Sequence, residues 1–245
     1  MQMNPVRKYA VPTIRLGQTD THIPRLGLGT YKYTSGVEPL RYALDLGYTL
    51  IDTAQVYGTE KLVGQAIAGR QREVFVVSKV WKTHMDTKGV FGCNYNTLLH
   101  LKRSYLDMLM VHFPVEDIPI KTTMQAIVLL KERKKVRHIG VCNMSRDQLR
   151  EAQDCLGTHQ IDAVQYRYNL NRREVEADIL PYCQERGIVF MAYEPLDQGR
   201  LGERAREALQ FLVKQQGVVA IVRSGNPAHL AANIEAACEG IYESE

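Results

Sequence analysis

Short β-branched and aliphatic runs alternate with amphipathic segments along nearly the whole chain, and that alternation is its strongest constraint. Candidate strands begin near Leu26, Leu50, Val74, Met108, His138, Ala163, Val189 and Val219. Between them lie stretches of roughly ten to fifteen residues with helical spacing, the pattern of βαβ units on a parallel sheet. Eight such repeats in 245 residues leave room for little else. Right-handed crossovers and strands buried on both faces then favour closure into a (β/α)8 TIM barrel, an α/β fold. Before the first repeat, "TIRLGQTDTHIPRLG" reads as an N-terminal β-hairpin over about residues 12–25. The expected organisation is one domain over residues 1–245, with the barrel at about 26–238. A doubly wound sheet would instead carry GxGxxG between its first strand and helix, and "RLGLGTY" does not supply it.

Several helix ends are marked chemically. Ser145 with Gln148 makes a capping box before "LREAQDCL". Asn226 followed by Pro227 reads as an N-cap with proline in the first helical position. Gly187 ends "YCQERG" as a left-handed C-terminal residue. Pro181, inside the sixth helical pattern, bends that helix or moves its start.

Composition narrows the class. The net charge of +4 comes from interspersed signs, which argues against a nucleic-acid or membrane partner. No apolar run approaches the ~20 residues that span a bilayer. The segment "MQMNPVRKYAVPTIRLG" lacks the apolar core of a secretory leader. Cys93, Cys142, Cys155, Cys183 and Cys238 are scattered, without CxxC spacing, so free thiols in a reducing cytoplasm are expected and a metal site is not. No heptad pattern is present, and a soluble monomer is expected.

In a barrel of this kind the C-terminal strand ends carry chemistry. They hold Asp52, Lys79, His112, Asn143, Gln165, Tyr193 and Arg223, with Tyr57 in the loop after the second strand. A strand-end Asp or His alone is more often a cap or a satisfied core residue. Polar side chains at one end of seven strands are not explained that way. A phenol has a pKa of about 10, too high for easy proton exchange near neutrality. Lys79 beside Tyr57 is expected to pull that value down, with Asp52 holding the ammonium in place and His112 orienting a carbonyl or sharing the proton. That set makes a general acid aimed at a developing alkoxide, not a nucleophile.

A reduction also needs a hydride donor. Asn143 and Gln165 suit the carboxamide of a nicotinamide, and Tyr193 offers a flat face to its ring. "IVRSGNPAHL" ends the last strand with Arg223 and Ser224 and opens a helix, a natural phosphate cradle. Trp81, with Tyr31 and Phe113, is a candidate wall of the substrate pocket.

From Arg25 to about Ala236 the chain resembles the aldo-keto reductases, through "GLGTY", "IDTAQVYGTE", "VSKVW", "MVHFP", "IGVCNMS", "AVQYRYNLNRR", "MAYEPL" and "VRSGNPAHLAAN" in family order. The resemblance implies a TIM barrel that reduces aldehydes and ketones. It implies Asp52, Tyr57, Lys79 and His112 as the catalytic tetrad. It places Gly29, Thr30, Asn143, Gln165, Tyr193, Leu196, Arg223, Ser224, His229 and Asn233 at the cofactor. Arg223 implies NADP(H) in preference to NAD(H), with NAD(H) still usable. The chain also departs from the family. Cys142 stands where serine is usual, His229 where an arginine is common, and Ala232 where a glutamate contacts adenine. The seventh strand–helix loop, "DQGRLG", is short, and little follows the last helix. Those departures imply weaker cofactor closure and an open pocket. Two rival readings are a nucleotide-binding regulatory module with little turnover and a metal-dependent hydrolase using Asp52, His84 and His112.

Overall fold

The computed structural model describes residues 9–242. The leader-free N-terminal reading falls partly on residues 1–8, and the short tail partly on 243–245; both stretches lie outside the described residues. Eight parallel strands close into a barrel: β3 (Leu26–Gly29), β4 (Leu50–Asp52), β5 (Phe75–Val80), β6 (Leu106–Val111), β7 (Val136–Cys142), β8 (Ala163–Arg167), β9 (Val189–Tyr193) and β10 (Val218–Val222), which pairs back onto β3. One helix follows each strand in order: α1 (Val37–Leu46), α2 (Glu60–Ala66), α3 (Thr87–Leu101), α4 (Ile120–Glu132), α5 (Arg146–Asp154), α6 (Ile179–Arg186), α7 (Ala205–Lys214) and α8 (Pro227–Tyr242). The antiparallel hairpin of β1 (Thr13–Arg15) and β2 (His22–Pro24) precedes them, with Ile14 opposite Ile23.

Strand alternation splits the apolar residues into two cores. Leu28, Ile51, Val76, Leu109, Val141 and Val164 face the helices in the outer core. Leu50, Val77, Met108, Met110, Ala163, Val189, Met191 and Val219 face each other inside the barrel. Burial on both sides explains why the strands read as unbroken apolar runs. The inner core leaves no room for every residue to carry a side chain. A Cβ on Gly140 would stand 2.5 Å from the Met110 Cε, and one on Gly27 would stand 2.8 Å from Leu50 and Ile221.

The hairpin has a structural task. Leu16 and Ile23, both fully buried, pack into the inner core and close the barrel's N-terminal end. Below them His138 Nε2 meets Thr21 Oγ1 at 3.1 Å, while its Nδ1 lies 3.2 Å from Asp162.

Two strands start earlier than the sequence suggests. β6 begins at Leu106 and β7 at Val136, and those two residues are register partners. The charged neighbours Asp107 and Arg137 interrupt the apolar pattern and hide the true starts. The marked helix ends are in place. Ser145 accepts from the Gln148 backbone while Gln148 reaches back, Asn226 Oδ1 accepts from Ala228 N at 2.9 Å, and Gly187 takes φ 65°. Pro181 sits in the first turn of α6, which starts at Ile179, in line with the expectation that it moves the helix start. Among the described residues, no helix is long and apolar enough to cross a membrane.

Candidate active site

The same alternation that builds the inner core delivers polar groups at its C-terminal end. On β4 the inward series runs Leu50, Asp52; on β5 it runs Val77, Lys79; on β6 it runs Met108, Met110 and then His112, just past the strand. Three side chains therefore converge above a floor of aliphatic and methionine side chains. Tyr57 comes from a short 3-10 turn, Gln55–Tyr57, that Gly58 ends in the left-handed region at φ 69°.

Lys79 is fully buried and fully bonded. Its Nζ donates to both Asp52 oxygens at 2.7 Å and to the Thr53 carbonyl at 3.0 Å. Burial pulls its pKa down, but Asp52, with smaller help from Tyr57 and Cys142, outweighs that and leaves it above the ordinary lysine value, so the amine stays charged. Gln165 completes the pair by donating from Nε2 to Asp52 Oδ2 at 2.8 Å.

Tyr57 Oη lies 3.3 Å from His112 Nε2, and the Lys79 ammonium lies 5.1 Å from the phenol ring centroid. The ammonium does favour the phenolate, as expected. The net shift nevertheless has the opposite sign: burial pushes the Tyr57 phenol up to about 12, with Asp52 adding to the rise. The reason is first that the phenol is largely buried, which disfavours its anion more than the Lys79 charge favours it, and second that Asp52 opposes part of the Lys79 field. His112 is moved the other way, down to about 3, by burial first and the Lys79 charge second. It is a neutral imidazole at any physiological pH. Its buried Nδ1 has no hydrogen-bond partner. An orphaned lone pair costs less than an orphaned N–H, so the proton belongs on Nε2, facing Tyr57.

The other half of the mouth is tied to this one. Asn143, at φ 58°, donates to the His112 carbonyl at 3.2 Å and accepts from the Tyr193 hydroxyl at 3.1 Å. Gln165, Asn143 and Tyr193 thus sit together, as expected. Cys142 points into the barrel floor, where burial pushes its thiol up to about 12. Gly29 and Thr30 are buried, and the Thr30 hydroxyl donates to the Asp52 carbonyl at 3.1 Å and meets Thr59 Oγ1 at 2.9 Å. That makes the Thr30 side chain a brace for the Tyr57 turn. Leu196 is half-buried against the outer core, and Asn233 is buried on α8.

At the start of α8, Arg223 and His229 are exposed and Ser224 Oγ accepts from Asn226 N at 3.1 Å. Arg223 donates to the Lys32 carbonyl at 3.3 Å. The three expected pocket aromatics do gather. Tyr31 stands 5.1 Å from the Tyr57 ring, Trp81 5.0 Å from His112, and Phe113 stacks on His112 at 5.1 Å.

Two supporting clusters escaped the sequence. Glu60, 2% exposed, accepts from Ser78 at 2.8 Å and Thr97 at 2.7 Å, and lies 3.1 Å from His100 Nδ1. It fastens α2, just beyond the Tyr57 turn, to the strand that carries Lys79. Asp197 accepts from Asn171 at 3.2 Å and Arg200 at 3.2 Å, in a loop where Glu194, Asp197 and Gln198 all have φ between 47° and 58°. Only the dense polar run "YNLNRR" hinted at the second. The rival metal set finds no geometric support: among the described residues, no three His, Cys, Asp or Glu groups converge to hold an ion.

Comparison with known proteins agrees with the geometry. The chain is 31% identical to the methylglyoxal reductase YeaE of Escherichia coli (strain K12) over 243 residues, covering 87% of this chain and 85% of that protein. It superposes on the thermostable aldo-keto reductase Tm1743, crystallised with the inhibitor epalrestat, with a TM-score of 0.86 and 33% identity, covering 95% of this chain and 98% of the other. An aldo/keto reductase from Klebsiella pneumoniae, crystallised with NADP and acetate, gives a TM-score of 0.81 at 31% identity over 92% and 89% of the two chains. The family model for aldo/keto reductases matches residues 22–210, a stretch that holds the hairpin's second strand, seven barrel strands and all four converging side chains. With fold, motif order and relatives in accord, the chain belongs to the aldo/keto reductase family of oxidoreductases.

Proposed function

We propose that this oxidoreductase reduces aldehydes and ketones with NADP(H), with Tyr57 as the proton donor. The observation that carries the reading is the buried Asp52–Lys79 pair beneath a phenol that also meets a neutral imidazole. The mouth suits the cofactor. Gln165 commits its amide nitrogen to Asp52 and keeps its carbonyl oxygen as an acceptor for a carboxamide. Asn143 and Tyr193 stand beside it, and exposed Arg223 at the start of α8 offers a bidentate fork for a 2′-phosphate. When bound, NADPH supplies the hydride.

The chain's own residues manage the proton. A developing alkoxide is about as basic as hydroxide, whose conjugate acid has a pKa of ~15.7. Tyr57, at about 12, therefore gives up its proton downhill. Lys79 lies close enough to stabilise the phenolate that remains. Asp52, bonded to Lys79 through both oxygens at 2.7 Å, keeps the ammonium from swinging away. The His112 Nε2–H orients the carbonyl oxygen towards the phenol. In the oxidative direction the phenolate takes the proton back.

The substrate range is proposed as broad and includes small dicarbonyls, since YeaE is named a methylglyoxal reductase and the pocket wall is open, with Tyr31 50% exposed. All four residues come from one chain, so a monomer suffices. The five unpaired cysteines fit a reducing cytoplasm. The test is NADPH consumption with 4-nitrobenzaldehyde and methylglyoxal, and Tyr57→Phe is expected to abolish it while leaving NADPH affinity intact. Tight NADPH binding without turnover in the unmodified protein would favour the regulatory-module reading instead.

A further inference from the structure

The pocket wall beside Tyr57 is aromatic, but a cation is built into its edge. Lys82 opens the 3-10 turn Lys82–His84 after β5, and its Nζ lies 5.6 Å from the centroid of the Trp81 ring. Trp81 in turn stands 5.0 Å from His112 and 5.9 Å from Phe113. The ammonium is thus no more than two ring spacings from the imidazole that faces the reacting oxygen.

Nothing neutralises it there. Among the described residues, no carboxylate forms an ion pair with Lys82. Asp86, the acid nearest in sequence, caps α3 by accepting from Gly89 N at 2.6 Å. His84 Nδ1 is engaged with Thr83 Oγ1 at 2.9 Å. The other exposed lysine over a mouth aromatic, Lys32, lies over Tyr31 at 5.3 Å, but its carbonyl holds Arg223 and so belongs to the phosphate side. The indole face attracts the Lys82 ammonium and limits its freedom. A cation already held in place loses less conformational entropy on meeting an anion.

We propose that Lys82 selects carbonyl substrates that carry a carboxylate or phosphate, gripping that oxyanion at the pocket rim while the carbonyl lies between Tyr57 and His112. Two ring spacings match the length of a carboxylated aromatic aldehyde or a short aldehyde acid. This role rests on the carbonyl-reductase reading for its kinetic expression, though not for its binding.

The test compares 4-carboxybenzaldehyde with methyl 4-formylbenzoate, which differ in charge at the end remote from the reacting carbonyl. For a partly exposed pair, kcat/KM for the acid is expected to exceed that for the ester about three- to five-fold at low salt, through KM, and to lose that margin at high salt. Lys82→Gln brings the ratio near one; Lys82→Arg preserves it. A ratio near one in the unmodified protein, or a ratio unmoved by Lys82→Gln, overturns the proposal.

Because the chain has one tryptophan, Trp81, its fluorescence reports binding separately from turnover. Without cofactor, so that no turnover is possible, 4-carboxybenzyl alcohol is expected to bind the unmodified protein about three- to five-fold more tightly than Lys82→Gln. Equal affinities sink the proposal. Tighter carboxylate binding with neither aldehyde reduced sinks the reductase reading and leaves Lys82 as an anion site.

Discussion

The two halves of the barrel mouth are built to different standards. On the side of β4 to β6, the ammonium of Lys79 has three acceptors, Asp52 has two donors, and neither side chain is more than 6% exposed. On the side of β10 and α8, Arg223 and His229 stand in solvent, and Arg223 has a single long bond to a backbone carbonyl. The first half is organised before any ligand arrives. The second leaves its charge for the ligand to engage. The difference teaches where each half pays its cost: the half proposed for catalysis in folding, the half proposed for phosphate in binding.

The most drastic way to break that contrast is Lys79→Met. It strands a buried carboxylate, which costs about 3–5 kcal/mol of stability. It also removes the charge that stabilises the phenolate, and kcat is expected to fall about 10²–10⁴-fold, the usual range for general acid–base contributions. Thermal unfolding and single-turnover reduction measure the two effects. An unchanged rate in folded protein would mean that Lys79 does not serve Tyr57.

At the phosphate half, Arg223→Ala should leave stability alone. The expected result is a rise of about ten-fold in the Kd for NADPH at low ionic strength, with little change for NADH. Equal losses for both cofactors would move the 2′-phosphate contact elsewhere.

Acid sensitivity separates the halves more gently. His112 titrates near 3 in the folded chain against 6.5 for a free imidazole, so the unfolded chain takes up a proton that the native site refuses. The stability His112 contributes is present above pH 6.5 and declines as pH falls from there towards 3. His112→Gln should flatten that part of the denaturation profile. The smallest effect is at the start of α8: Asn226→Ala removes a cap worth about 1 kcal/mol and is expected to lower the unfolding midpoint by a few degrees.

The same contrast explains what the sequence could reveal. The proposed catalytic residues were legible as strand-end positions because strand ends are visible: each of Asp52, Lys79 and His112 stops an apolar run at a fixed parity. Their convergence followed from barrel closure. Their partners were not legible. Gln165 reaches Asp52 across 113 residues and Tyr193 reaches Asn143 across 50, and no local pattern encodes either bond. Glu60 was passed over because a carboxylate at a helix start normally faces water, and only the packing of α2 on α3 buries it. The direction of the Tyr57 shift was also hidden, since it depends first on how deeply the folded barrel buries the phenol, and only then on the balance of Lys79 and Asp52. At β6 and β7 the boundaries slipped because Asp107 and Arg137 break the apolar texture.

The hairpin that seals the far end has one last implication. With Leu16 and Ile23 as its stopper, the barrel is a cup and not a pipe. Under the proposed reduction, cofactor and substrate come and go over a single lip, and the product's departure opens the path by which the Tyr57 phenol regains its proton.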